Sequence, residues 1–246
     1  KVWANRLPSK KSGGEARAPV AAAVLRAAVV GAEGGVVVVG GKGGEEPFFL
    51  QWHTTDRCNL SCSHCYRDQL RADPSAKQLD TIWANFLDFA GQLPAKRFRV
   101  QIAGGEPFAS EGWCQVALRA REHSVPVRLL SNATLVDAPL AAHIRDAGIR
   151  IVQVSIDGSP QTHDSIRGHG AFARAQRGIS FLRDVGIEVT IAMVLSRLSI
   201  ADLPYVLDFA RENANRIGFH RLVPCGRGAD LQEQMLTPSQ LREAFG

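Results

Sequence analysis

Three cysteines fall within eight positions of the stretch TTDRCNLSCSHCYRD, residues 54–68, at the spacing C-x3-C-x2-C and with no fourth beside them. A structural zinc ion asks for four ligands in a tetrahedron, normally drawn from two paired C-x2-C knuckles. Cys58, Cys62 and Cys65 supply only one such pair, and the further donors His53, His64 and Cys114 stand at no familiar spacing. Three unligated thiols, the plainest alternative, would make poor use of small apolar side chains in a polar loop. A four-iron, four-sulfur (4Fe-4S) cluster held by three thiolates leaves one iron without a protein ligand. An open iron is a place for a cofactor or substrate to coordinate, which a simple electron carrier does not need.

Other residues suited to ligand binding follow at intervals. Gly104 and Gly105 let a backbone approach a ligand closely, and Glu106, followed by Pro107, can accept from an ammonium; a turn with an exposed Glu is the alternative. Asn132 in SNAT, and Ser155 and Asp157 in SIDG, are short polar groups suited to a ribose or a carboxylate, although Asp157-Gly158 also reads as a turn. GGKGG at Gly40–Gly44 has the wrong spacing for a phosphate loop, with Gly43 where Ser or Thr is required.

These groups need elements to position them. Short apolar runs predict strands at Phe48–Thr54, Phe98–Ala103, Val127–Ser131, Ile149–Ile156, Glu188–Met193 and Arg216–Leu222, several nearly continuous in apolar residues, as in strands buried on both faces. Apolar stripes predict helices between them: Leu79 to Phe89; Leu140, Ile144 and Ala147, stopped by Gly148; Phe172 to Leu182, ended by Gly186; and Leu203 to Ala210. Thr237 caps a last helix in TPSQLREAFG. The sum is about six βα units: an α/β fold, a partial parallel (βα)6 barrel, TIM-barrel-like, with chemistry at the C-terminal strand ends. The cysteines, GGEP, SNAT and SIDG each follow such an end.

The totals set limits. Of the formal net charge of +5, all sits in residues 1–44, which hold seven Lys/Arg against two Asp/Glu, while the remaining 202 residues balance. A basic extension before a neutral domain offers no clustered patch for nucleic acid. Residues 1–44, rich in Ala, Val and Gly, read as a loosely ordered extension with a short helix at Val20–Val30, leaving 45–246 as the core domain. Arg26 and Glu33 interrupt the most apolar run, so no membrane span is expected, and five cysteines do not make a secreted disulfide framework; the expected setting is a reduced cytoplasm. Opening on Lys1 and closing inside a helix, the chain reads as part of something longer.

CNLSCSHCY together with GGEP and SIDG on successive βα units resembles the radical S-adenosylmethionine superfamily, over residues 48 to about 225. The resemblance implies a 4Fe-4S cluster on Cys58, Cys62 and Cys65. It further implies S-adenosyl-L-methionine chelated to the open iron and cleaved reductively to a 5′-deoxyadenosyl radical that takes hydrogen from a substrate. Under it Gly104, Gly105, Glu106 and Pro107 meet the methionine amino group. His64 stands where an aromatic neighbour of adenine is common, Arg167 pairs with the methionine carboxylate, and Met193 offers its backbone to adenine; a solvated histidine, a surface ion pair and core filling are the respective alternatives. FLQWHTTDRCNLSCSHCY, SIDGSPQTHDSIRGHGAF and RLVPCGRG are most similar to the SPASM-type peptide- and protein-modifying maturases, and members acting on haem precursors share these segments. The implied partners are a peptide or small-molecule substrate and a flavodoxin- or ferredoxin-type reductant protein, with no nucleic acid or membrane. A non-catalytic iron–sulfur or zinc-binding fragment is the alternative of another class. Such maturases continue into a cysteine-rich C-terminal domain, whereas only Cys114 and Cys225 remain here, the latter as ligand, radical relay or neither.

Overall fold

The computed structural model describes residues 36–39, 48–67, 71–92 and 98–245. The helix expected at Val20–Val30 and the Gly40–Gly44 run lie outside the described residues. Seven strands form one sheet whose spatial order equals the chain order: β1 (Val36–Val39), β2 (Phe48–His53), β3 (Phe98–Ala103), β4 (Val127–Ser131), β5 (Ile151–Ser155), β6 (Glu188–Leu195) and β7 (Arg216–Arg221). From β2 to β7 every pairing is parallel, so each crossover carries helix: α1 (Ala76–Gly91), α2 (Gly112–Glu122), α3 (Ala138–Asp146), α4 (Pro160–Arg167) with α5 (Ala171–Asp184), and α6 (Leu203–Asn213). A final helix, α7 (Pro238–Phe245), follows. Six parallel strands in unbroken order, backed by helices, make the partial TIM-barrel-like fold expected.

One strand was not expected. β1 lies inside the segment read as an extension and runs antiparallel along β2, with Val36 opposite Trp52 and Val38 opposite Leu50. Neither α2, whose mixed composition hides its stripe, nor the eight-residue α4 was anticipated.

The helix ends follow local chemistry. Ser75 Oγ accepts from Gln78 N (3.3 Å) while Ser75 N donates to Gln78 Oε1 (2.8 Å), a reciprocal cap that opens α1. Past α3, Gly148 takes a positive φ of 95°. Its N–H reaches Arg145 O (3.0 Å) and that of Ile149 reaches Ile144 O (3.2 Å), the paired bonds that close a helix on a left-handed glycine. Gly186, at φ 75°, does the same for α5.

The strands are not buried alike on both faces, as their apolar runs had suggested. Trp52, Ile102, Leu129, Val154 and Ile191 turn outward under the helices and are all but fully buried, and Trp52 stacks on Trp83 of α1 at 6.5 Å. The alternate positions turn to the concave side and include Gln51, Gln101 and Gln153, each half-buried. Because full burial of a large apolar side chain contributes roughly 1.5–3 kcal/mol, the helix-covered face carries the stabilising burial and the concave face is left for other uses.

Candidate functional site

Just past β2 the chain enters the cysteine-bearing loop, which three distant segments clasp. Thr54 N donates to Ala103 O (3.0 Å), Gly105 N to Thr55 O (2.8 Å) and Glu106 N to Arg57 O (2.7 Å), so the GGEP turn after β3 lies flat against it. A Cβ at Gly105 would collide with the Arg57 carbonyl and sit 2.6 Å from that of Asp56, so this approach requires glycine. Ser63 N donates to Ile166 O (2.9 Å) in α4. On the far side Gly226, in the left-handed region at φ 58°, packs on the Tyr66 backbone, and Gly228 N donates to Cys65 O (3.2 Å).

Cys58, Cys62 and Cys65 all line one cavity of about 590 Å³ at the C-terminal mouth of the strands. Desolvation pushes the Cys58 thiol up, reinforced by Glu106, Cys62 and Cys65 and opposed by a hydrogen bond from Leu60 N. Burial raises the Cys62 thiol too, with Arg167 and Arg227 acting against it. Free, Cys58 and Cys62 therefore hold their protons, and a metal that binds them displaces protons. Among the described residues no three His, Cys, Asp or Glu side chains close on one point as a single-ion shell.

Of the zinc alternatives, His64 lines the cavity but is turned to Asp157, and the other two are drawn elsewhere. Cys114, on α2, lies 3.3 Å from His143 Nε2 and is not part of the cavity lining. His53 contacts Tyr66 Oη (3.2 Å), Gln51 Nε2 (3.0 Å) and Arg67, and burial, with Arg67 and Arg71, lowers its pKa to about 4, so it is neutral. Cys225 is exposed beside the Tyr66 carbonyl (3.8 Å), outside the lining.

Glu106 is fully buried and turned away from solvent. Oε1 accepts from Ser131 Oγ (2.7 Å) and from Phe108 N (3.4 Å), Oε2 from Asn132 N (2.7 Å), and burial outweighs these donors to raise its pKa to about 7. It locks the turn beginning at Pro107, itself buried, to the end of β4. Asn132 is likewise committed: Nδ2 donates to Asn59 Oδ1 (3.0 Å) and Oδ1 accepts from Thr134 N (2.9 Å) and Oγ1 (2.7 Å). Both residues brace the cysteine loop.

Asp157, also fully buried, joins three elements. Oδ2 accepts from Arg167 Nε (2.6 Å) and His64 Nε2 (3.0 Å), and Oδ1 from Val194 N (2.8 Å). Burial alone would raise its pKa; Arg167 and His64 reverse this and hold the carboxyl well below the usual range. Arg167 and His64 line the cavity, and the guanidinium feels Cys62 and Cys65. His64 Nε2 faces the carboxylate, while its Nδ1 is buried and without a partner among the described residues. Ser155 lines the cavity with its hydroxyl unengaged among the described residues. The Met193 side chain fills the core: β6 runs two residues further than predicted, which places Met193 inside the ladder and fully buried, with Val194 as the cavity wall.

Gln51, Gln101, Gln153, His220, Arg221 and Arg227 also line the cavity and were not singled out in the sequence. A signal existed: each glutamine interrupts an apolar strand at a position of common parity, which marks one face.

A cluster on the three thiolates fits this setting, with all three on one cavity, glycines admitting close backbone approach, and the orphaned His64 Nδ1 and free Ser155 hydroxyl to meet a polar cofactor. Residues 52–210 match the Radical SAM superfamily. Fe-coproporphyrin III synthase of Methanosarcina barkeri is 30% identical over 199 residues, 78% of this chain and 48% of its own length. AdoMet-dependent heme synthase of Oleidesulfovibrio alaskensis is 33% identical over 203 residues, 80% and 51% of the two chains. Mycofactocin maturase MftC of Mycobacterium ulcerans is 31% identical over 196 residues, 78% and 52%. The chain thus spans about half the length of these relatives. Among solved structures, Streptococcus suis SuiB bound to precursor peptide SuiA superposes with a TM-score of 0.67 at 16% identity, covering 81% of this chain and 44% of that one. The anSMEcpe structure with bound AdoMet gives 0.61 at 20% identity, covering 71% and 51%. At such identities the likeness is one of fold.

Proposed function

The chain belongs to the Radical SAM superfamily, and from that premise we propose that it is the catalytic core of an enzyme that modifies a ribosomally made peptide or a protein side chain. When bound, a 4Fe-4S cluster and S-adenosylmethionine supply a 5′-deoxyadenosyl radical that takes a hydrogen atom from the substrate. The observation that carries this reading is the convergence of three thiols on one cavity at the strand mouth.

In this reading Cys58, Cys62 and Cys65 hold the cluster. Arg167, fixed by Asp157, favours the thiolate form of Cys62 and presents its remaining N–H groups to the methionine carboxylate. The Ser155 hydroxyl and His64 Nδ1 meet polar atoms of the nucleoside, while the Gly104-Gly105 backbone admits the methionine end. The expectation that Glu106 receives the ammonium directly is kept only for the unused acceptor capacity of Oε2, because its other lone pairs serve Ser131, Phe108 and Asn132.

The proposal extends to a cytoplasmic setting, where an oxygen-sensitive cluster persists, and to a flavodoxin- or ferredoxin-type reductant. No helix among the described residues is long and apolar enough to cross a membrane. We assign the chemistry to residues 45–246, with β1 as a covering strand. Modification of a haem precursor is the second reading, favoured by the 30% and 33% identities to Fe-coproporphyrin III synthase and AdoMet-dependent heme synthase.

The test is anaerobic reconstitution with iron and sulfide, reduction with dithionite, and assay of 5′-deoxyadenosine on addition of S-adenosylmethionine. Its appearance in the parent and loss in Cys62→Ala, together with the bound iron, supports the assignment. Zinc in place of iron, or a Cys62→Ala protein that still cleaves, would falsify it.

A further inference from the structure

Two guanidinium groups of the cavity wall have no part in the reading above. Arg221 ends β7, and Arg227 lies in the 3-10 turn Gly226–Gln234 that follows; both line the cavity that the three cysteines line. Neither side chain has a hydrogen-bond or ion-pair partner among the described residues. The other arginines of the lining are spoken for: Arg67 pairs with Asp56, and Arg167 with Asp157. Asp56, the one carboxylate of the lining among the described residues, is shared between Arg67 and Arg71. Among the described residues, the β7 side of the wall therefore presents two exposed guanidinium groups that no carboxylate of the lining pairs.

A cluster held by the three thiolates is negative and would draw on Arg227, which acts on Cys62, whereas Arg221 figures among the influences on neither Cys58 nor Cys62. On the strand face of the lining, Gln51, Gln101 and Gln153 are polar and uncharged, beside apolar Leu130, Val194 and Leu222. Guanidinium forks match the plane of a carboxylate and bind it through paired hydrogen bonds.

We infer that the substrate carries a carboxylate, which Arg221 and Arg227 hold from the β7 side of the cavity while the glutamine row faces its uncharged body. This deepens the proposed function and rests on it for the identity of the cavity as a substrate site. Arg227 also lies close enough to favour the Cys62 thiolate, so Arg221 is the cleaner probe of the two.

Binding is measured on the reconstituted full chain without reductant, so that no turnover intervenes. The probes are coproporphyrin III against its tetramethyl ester, followed by fluorescence, and an acetylated hexapeptide with a free C-terminus against its C-terminal amide. At least one acid binds more tightly than its neutral counterpart, by about tenfold or more, as expected for a charge-assisted pair. Arg221→Gln reduces that preference and Arg221→Gln with Arg227→Gln removes it, whereas Arg211→Gln, exposed on α6 and paired with Asp208, leaves it intact. A neutral counterpart that binds equally well, binding of neither acid, or a preference that survives in the double variant overturns the inference. The acid-against-neutral comparison on the unaltered protein decides even if the variants fold poorly. Acid preference without any 5′-deoxyadenosine formation would sink the radical reading and spare the carboxylate site; cleavage without acid preference would do the reverse.

Discussion

Glu106 shows how much one buried carboxyl can decide. Its pKa rises from the ordinary 4.5 to about 7, so between those values the folded chain keeps a proton that the unfolded chain has released. Its contribution is therefore fully present below pH 4.5 and is lost as pH rises through about 7, a span worth about 3 kcal/mol. His53 and His163, both lowered to about 4 by burial, push the other way below pH 6.5, so the parent curve alone is mixed. The difference from Glu106→Gln isolates the carboxyl: in urea titrations the variant should gain on the parent steadily from pH 5 to 7.5, and a constant difference would mean that Glu106 is ionised throughout. Asp157 is the opposite case, a buried carboxylate kept charged by its partners. Asp157→Ala strands the Arg167 guanidinium and should cost about 3–5 kcal/mol, read as a fall in melting temperature. The sequence made both residues visible as polar groups at strand ends. It could not show that Glu106 faces Ser131 and Asn132, or that Asp157 and Arg167 satisfy each other, because those partners meet only once neighbouring crossovers are in place.

At the scale of elements, six strands were legible within a residue or two, since apolar runs bounded by glycine and turn residues fix them, and Gly148 and Gly186 stop their helices as read. β6 overran its prediction because Val194 and Leu195 continue the ladder with His220 and Arg221, a pairing that only β7 supplies. β1 escaped because four valines between glycines have no partner until β2 lies beside them. The fit of the cysteine loop on the GGEP turn gives a sharp contrast. Gly105→Ala drives a methyl into the Arg57 and Asp56 carbonyls, whereas a Cβ at Gly218 on β7 meets nothing within 4 Å. Gly105→Ala should lose most of its reconstituted iron and destabilise the apoprotein by about 1–3 kcal/mol, while Gly218→Ala keeps both within error. Equal iron in the two variants would show that the loop can retreat from the turn.

For the molecule as a whole, β1 and β7 are the terminal strands of the sheet, and β1 covers the edge of β2. A chain begun at residue 45 exposes that edge, and open strand edges invite pairing between molecules. It should load iron as the parent does yet form larger species in light scattering; a monodisperse product would show that β2 needs no cover. The clasp on the cysteine loop has a further consequence, in the timing of synthesis. Cys58, Cys62 and Cys65 leave the ribosome early, but the residues that grip their loop come after β3, from α4, and last from Gly226 and Gly228 beyond β7. Until the final strand has docked, the loop is held by the GGEP turn and α4 alone and lacks the grip of Gly226 and Gly228 on Tyr66 and Cys65. The complete clasp can therefore close only after translation has passed Gly228, so a chain cut before that residue should retain less reconstituted iron than the parent.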